Sequence, residues 1–260
     1  MKKIIPALLI LIMGLQSFAQ VGSIKSGSDK NTSSPKTTNT NNNASEGCLT
    51  DACGTACASG CFNFFFDYAI LGSVKLHKSI MGKRNEIPEV VSLELMPHFG
   101  FAAPSSSLII PRIRGNWGLI STDFRFSNMM DFGRADSIDF YNTLDWQILE
   151  FNFVVTNPVT FRAGTGIMKE YYSSKTFIEH FLGFDIVSQD RQYLGNAEFR
   201  IAKDYSTGAT PRIEGNLRFN YRIFSAGNFN GYIMAGAIFQ NYYLETYVWT
   251  MQTGLSFNFH

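Results

Sequence analysis

The chain has 260 residues, of which 45% are hydrophobic and 15% aromatic, and a formal charge of +1. That near-neutral balance excludes a polybasic nucleic-acid binder, and no window reaches the roughly 18 uninterrupted apolar residues of a membrane-crossing helix. The length allows one large domain or two small ones, and a membrane location would have to be reached with strands.

At the N-terminus Lys2 and Lys3 precede an apolar core from Ile4 to Met13, and Ser17-Phe18-Ala19 closes in a small-x-small pattern before Gln20. This is the form of a cleaved secretory leader over residues 1–19, whose loss would take the net charge to −1. Residues 20–47 are Ser, Thr, Asn, Lys and Gly with almost nothing apolar. Too little surface can be buried there to offset ordering entropy, so the composition predicts a disordered tether.

Cys48, Cys53, Cys57 and Cys61 then arrive together and are the only four in the sequence. An exported chain with an even number of cysteines most simply forms disulfides. A thiolate-rich metal site and free or intermolecular thiols are the other readings, and the spacing singles out no metal. From Phe62 the composition becomes aromatic and apolar, ending in Lys75, Lys78, Lys83 and Arg84. Residues 48–87 therefore read as a Cys-containing amphipathic helical segment, suited to a membrane surface, a barrel mouth or a protein partner.

After Pro88 the chain alternates apolar and polar residues in ten segments, about 89–102, 107–115, 118–131, 142–156, 159–172, 176–187, 194–205, 210–224, 229–242 and 245–260. Asn157-Pro158, Ser206-Thr207-Gly208 and Gly227-Asn228 are among the turn signals between them. Eight strands would remain if two weaker segments were loops, and residues 132–141 are the longest expected connection. In the last segment Tyr247, Trp249, Met251, Thr253, Leu255, Phe257 and Phe259 share one face, while Val248, Thr250, Gln252, Gly254, Ser256, Asn258 and His260 share the other. Such a strand is about twice the usual soluble length and suits a tilted crossing of a bilayer.

A long, alternating, aromatic-rich closing strand resembles that of outer-membrane β-barrel proteins of Gram-negative bacteria. The resemblance covers roughly residues 90–260 and implies a closed, all-β, antiparallel transmembrane barrel of about ten strands in contact with outer-membrane lipid. It brings no catalytic motif.

Alternation alone leaves open whether the apolar face looks out at lipid or into a soluble, lipocalin-like cup. Mid-strand charges fall on one side: Glu94 with His98, Arg112 with Arg114, Asp123 with Arg125, Glu198 with Arg200, and Arg212, Glu214 and Arg218 together. With lipid outside, they would fill the lumen as a network of both signs. Folding strands seven and eight about Thr207-Gly208 sets Arg200 opposite Glu214, which makes them an expected ion pair. Across the first hairpin His98 is expected to meet Arg112. Trp146, Phe239, Tyr242, Tyr247 and Trp249 are expected at membrane interfaces.

A filled barrel acting as a scaffold or accessory subunit is the first functional expectation, and a narrow channel is the alternative. A lipid-modifying enzyme comes third, because of the four histidines only His98 shares a face with a carboxylate, and no serine is placed beside it. Gly164-Thr165-Gly166 belongs to a strand and not to a phosphate-binding turn. The sequence identifies no cofactor, metal or small-molecule substrate.

Overall fold

Period-two alternation governs the chain from Val91 onward, and each alternating run becomes one strand of a single sheet. The computed structural model describes residues 20–32, 71–102, 105–134, 137–156 and 158–260. The leader, the rest of the tether, Cys48, Cys53, Cys57, Cys61 and the first part of the amphipathic segment lie outside the described residues. Among the described residues two helices, α1 (Gln20–Thr32) and α2 (Leu71–Gly82), and a short 3-10 turn (Pro88–Val90) precede the sheet. Ten strands follow: β1 (Val91–Ala102), β2 (Ser106–Trp117), β3 (Ile120–Arg134), β4 (Ser137–Val155), β5 (Val159–Glu170), β6 (Lys175–Val187), β7 (Tyr193–Lys203), β8 (Arg212–Ala226), β9 (Phe229–Tyr242) and β10 (Thr246–Phe259).

Each strand pairs antiparallel with its neighbours in sequence, and β10 closes on β1, with Leu93 opposite Phe259 and Phe101 opposite Met251. Closure leaves no sheet edge, which is what a bilayer demands of a strand structure. An even strand number brings Val91 and Phe259 to one mouth, the terminal mouth; Ala102, Ser106, Tyr242 and Thr246 stand at the far mouth.

Two departures from strict alternation shape the wall. A bulge in β4 between Trp146 and Leu149 reverses which side chains point inward along that strand. Gly166 on β5 accommodates it, since a Cβ there would collide with the Trp146 carbonyl. In the β2–β3 turn Gly118 has φ +63, and a Cβ would meet the His77 ring of α2 at 2.9 Å. Residues 132–141, expected as a loop, instead continue β3 and β4 into a tall hairpin, with Arg134 opposite Ser137. The alternation had not stopped: Ile138 and Phe140 remain exposed while Tyr141 is buried.

Outside, the wall is apolar. Ile113, Phe124, Leu182, Phe199, Leu217, Ile233 and Met251 are exposed along it. Aromatics cluster toward both rims. Phe239 lies 4.5 Å from Trp249 and 6.0 Å from Tyr247 by ring centroids toward the far mouth. Phe229 lies 4.5 Å from Phe259 and 5.2 Å from Phe224 toward the terminal mouth. This apolar band between aromatic girdles is the surface of a bilayer-spanning barrel.

Inside, the lumen has two zones. Charged and amide side chains fill the middle. An apolar ring of Ala102, Leu108, Ile110, Met129, Tyr141, Ile238, Tyr242 and Val248 lines the far mouth and packs on Val21 and Ile24 of α1. The tether expectation is thus corrected for residues 20–32: docking supplies buried contacts that the isolated segment lacks. At the terminal mouth Ile80 of α2 packs with Ile87, Val90, Leu119 and Val155. His77 Nδ1 there accepts the Leu119 N–H at 3.3 Å.

Candidate functional site: the charged lumen

Inward-facing positions on β2, β3, β7 and β8 carry the charges singled out by the sequence, and the long side chains meet across the bore. Arg112 on β2 donates from Nε to Asp123 Oδ1 on β3 at 2.9 Å, and from Nη1 to Glu198 Oε2 on β7 at 2.8 Å. Arg114 Nη2 reaches the other Glu198 oxygen at 2.7 Å, and its Nη1 lies 3.5 Å from Glu94. Arg218 on β8 donates to the same Glu198 at 2.5 Å, so one carboxylate gathers three guanidinium groups.

One layer toward the far mouth the pattern repeats with other partners. Arg125 on β3 donates to Asp145 Oδ2 on β4 at 2.8 Å, and across the bore to Glu214 Oε2 on β8 at 2.9 Å. Arg212 on β8 reaches Asp145 at 2.8 Å and Glu179 on β6 at 2.5 Å. Arg200 on β7 joins the two layers, lying 2.7 Å from Asp123 and 3.2 Å from Glu179. These guanidinium groups are almost wholly out of solvent, Arg200 at 1% relative exposure. A buried charge is tolerated only with partners this complete.

The expected pair of Arg200 with Glu214 is corrected. The two stand opposite in the β7–β8 register, but Arg200 crosses to Asp123 while Glu214 is held by Arg125. The His98–Arg112 contact is corrected as well: the tight β1–β2 connection sets Ala102 against Ser106, which puts Ile110 opposite His98 and Arg112 opposite Met96. His98 Nε2 is buried without a hydrogen-bond partner among the described residues.

Several members of the network escaped the sequence: Asp145, Glu150, Arg162, Glu179 and Asp185. Arg162 on β5 donates to Asp185 Oδ2 at 2.9 Å and to Glu150 Oε2 at 3.1 Å. Glu179 and Asp185 share a face of β6 with Phe177 and Phe181, and those aromatics mask the polar side of the strand. Asp145 and Glu150 differ in parity because the β4 bulge lies between them, so no unbroken alternation joins them.

Among the expected interface aromatics, Trp146, Tyr247 and Trp249 are exposed on the outer wall, and Phe239 stacks with the last two. Trp146 lies in mid-strand because β4 begins at Ser137. Tyr242 is a correction. It points into the lumen at 2% exposure, its ring 5.3 Å from Tyr141, because even-numbered residues of β9 face inward.

The soluble cup is excluded by the same geometry. Phe124, Phe199 and Phe219 are about half exposed on the outside while Arg112, Arg200 and Arg218 are buried within, the reverse of a cup for an apolar ligand. At the terminal mouth the lumen opens into a vestibule lined by Glu94, Arg114, Arg162, Asp185, Asn196 and Arg218, whose floor is the Glu198 cluster.

Neither a protein-family model nor a curated protein sequence matches the chain. The solved structures it resembles are outer-membrane β-barrels. The N-terminal β-barrel domain of Pseudomonas aeruginosa OprF aligns at 14% identity and TM-score 0.31, over 65% of this chain and 97% of that one. The KdgM porin aligns at 13% identity and TM-score 0.36, over 65% and 100%. The translocator domain of the autotransporter NalP from Neisseria meningitidis aligns at 11% identity and TM-score 0.33, over 74% and 96%. Scores this low carry nothing about function; the barrel assignment stands on the closed strand order and on the face that bears the charges.

Proposed function

We propose that the chain is a non-enzymatic outer-membrane barrel whose bore is sealed, so that its working surfaces are its wall and its two mouths. It would serve as a membrane-embedded scaffold or accessory subunit, with the segment 48–87, of which the described part from Leu71 packs at the terminal mouth, as the part offered to a protein partner. The cross-bore ion pairs carry this reading: Arg112 with Glu198, Arg125 with Glu214 and Arg200 with Asp123 each tie one side of the wall to the other. A hydrated ion has no path through such a network without breaking several buried pairs, each costing about 3–5 kcal/mol when one partner is lost.

A narrow channel is the second reading, supported by the vestibule that reaches the Glu198 cluster from the terminal mouth. Planar-bilayer recording separates the two. The sealed barrel gives no unitary steps, whereas the double substitution Arg125→Ser with Glu214→Ser, which removes one cross-bore link without leaving a charge unpaired, opens a measurable conductance. Steps from the unmodified protein would replace the scaffold reading with the channel.

A further inference from the structure

After Lys83 the chain holds only three lysines, Lys169, Lys175 and Lys203, and all three fall at the far-mouth ends of β5, β6 and β7. Two of them point out of the barrel. On the same strands the adjoining Met168, Glu170 and Ala202 are buried on the lumen side, which turns Lys169 and Lys203 to the outer wall. Lys175 opens β6 opposite Glu170. Across the barrel the outer wall toward this mouth is aromatic instead, with Phe99, Phe101, Tyr247 and Trp249 exposed. Outward cations are thus gathered on one side of the rim, whereas anchoring at an interface in general would distribute them around it.

The register brings these cations over one strand. Lys169 stands opposite Thr176, and Lys203 opposite Ile178, so the two lysines flank β6 two residues apart along it. Two strand spacings of about 4.8 Å and a stagger of about 7 Å put their Cα atoms roughly 12 Å apart, a span that two extended lysine side chains close from either side. Lys169 rests on the Tyr171 ring at 5.3 Å, and Lys203 donates to Thr210 Oγ1 at 2.7 Å. Among the described residues neither has a carboxylate partner. The nearest in sequence, Asp204, accepts instead from the Ser206 hydroxyl and from the Ser206 and Thr207 N–H groups. Tyr205 bends back from the β7–β8 turn onto the outward His180 of β6, its hydroxyl 2.7 Å from Nε2, and bounds the patch on the β7 side. Toward the bilayer centre the same three strands turn apolar outside, through Ile178, Leu182 and Phe199.

We propose that the outer wall at the far-mouth ends of β5–β7 is a binding site for an anionic phospholipid. Its phosphate sits between the ammonium groups of Lys169 and Lys203, and its acyl chains lie along Ile178, Leu182 and Phe199. Two ammonium groups without a carboxylate call for a net negative headgroup, and a zwitterionic one would bring its own cation against them. The apolar track below calls for a lipid and not a free anion. Lysine stems can lie on such a track while their charged ends stay at the interface. The site is on the lipid side of the wall and holds whether or not the bore conducts.

Trp146 is the reporter, since it is exposed on the outer wall opposite Ile167, two residues along β5 from Lys169. The full chain carrying Trp117→Phe and Trp249→Phe is folded into phosphatidylcholine vesicles. Phosphatidylglycerol or phosphatidylcholine brominated in the acyl chains is then added in rising proportion. Half-maximal quenching should need on the order of tenfold less brominated phosphatidylglycerol than brominated phosphatidylcholine, as two lysines at a membrane surface provide. Lys169→Gln with Lys203→Gln should make the two lipids equal, while Lys75→Gln with Lys78→Gln, at the terminal mouth, should leave the preference intact. Inorganic phosphate at millimolar concentration should not displace the lipid. Equal quenching by both lipids in the Trp146 protein would overturn the proposal, as would a preference that survives the Lys169 and Lys203 replacements or disappears with those at Lys75 and Lys78. Displacement by inorganic phosphate would overturn the lipid assignment in favour of a free-anion site. Should the Lys169 and Lys203 double variant lack the heat-modifiable band of a closed barrel, Lys169→Gln alone carries the readout, with the preference reduced by at least half.

Discussion

Glu198 is the residue on which the lumen depends most, since Arg112, Arg114 and Arg218 all donate to it. Its replacement by Ala leaves three buried guanidinium groups short of a partner and should lower the unfolding free energy in lipid vesicles by about 3–5 kcal/mol. Arg200→Glu should be destabilising, and adding Asp123→Arg should recover part of the loss, whereas Glu214→Arg should recover little; urea titration of the single and double variants reads the coupling. Opposite register shows which residues share a rung, and that was legible from the turn at Thr207-Gly208. Which guanidinium reaches which carboxylate across the bore was not, because it depends on barrel closure, a property of all ten strands at once. Outside the membrane band Asp204 makes a smaller, pH-dependent contribution. Burial raises its pKa, but hydrogen bonds from the Ser206 hydroxyl at 2.5 Å and from the Ser206 and Thr207 backbone N–H groups outweigh this and leave it below the usual carboxylate value. A folded-state pKa below the unfolded one stabilises above the unfolded value of about 3.9 and is lost as pH falls through the folded one. The stability difference between Asp204→Asn and the unmodified protein should therefore be present at neutral pH and fade on acidification below about pH 4.

At the scale of single elements, the strands were readable and the helix at the far mouth was not. Alternation with explicit turn residues is a local signal, and it marks the β9–β10 hairpin, where Trp249 stands opposite Phe239. Helix α1 has no such signal, since its Ser- and Gly-rich composition describes the free chain and its order comes from Leu108, Ile110 and Met129 on strands more than seventy residues away. The β4 bulge is equally non-local, because it depends on Gly166 of the next strand admitting the Trp146 carbonyl. Gly166→Val should strain this pairing and destabilise the barrel by more than 1 kcal/mol, roughly the cost of overpacking a tight contact. Gly195→Ala on β7 should be close to neutral, because a Cβ there meets nothing within 4 Å. Unfolding midpoints of the two variants check the contrast.

For the molecule as a whole, charges in and an apolar, aromatic-rich wall out is the claim on which the proposed sealed bore and scaffold role both rest. All three tryptophans report on it, since Trp117, Trp146 and Trp249 are exposed on the outer wall at 51%, 43% and 55%. The most direct measurement is tryptophan fluorescence of the protein folded into vesicles whose lipids carry bromine at defined depths in the acyl chains. Strong quenching is expected, with single-tryptophan variants reporting Trp146 nearest the bilayer centre and Trp117 and Trp249 nearer its two faces. Emission unchanged by bromine at every depth, together with a monodisperse protein in buffer free of detergent, would contradict the account and return the apolar face to a soluble setting.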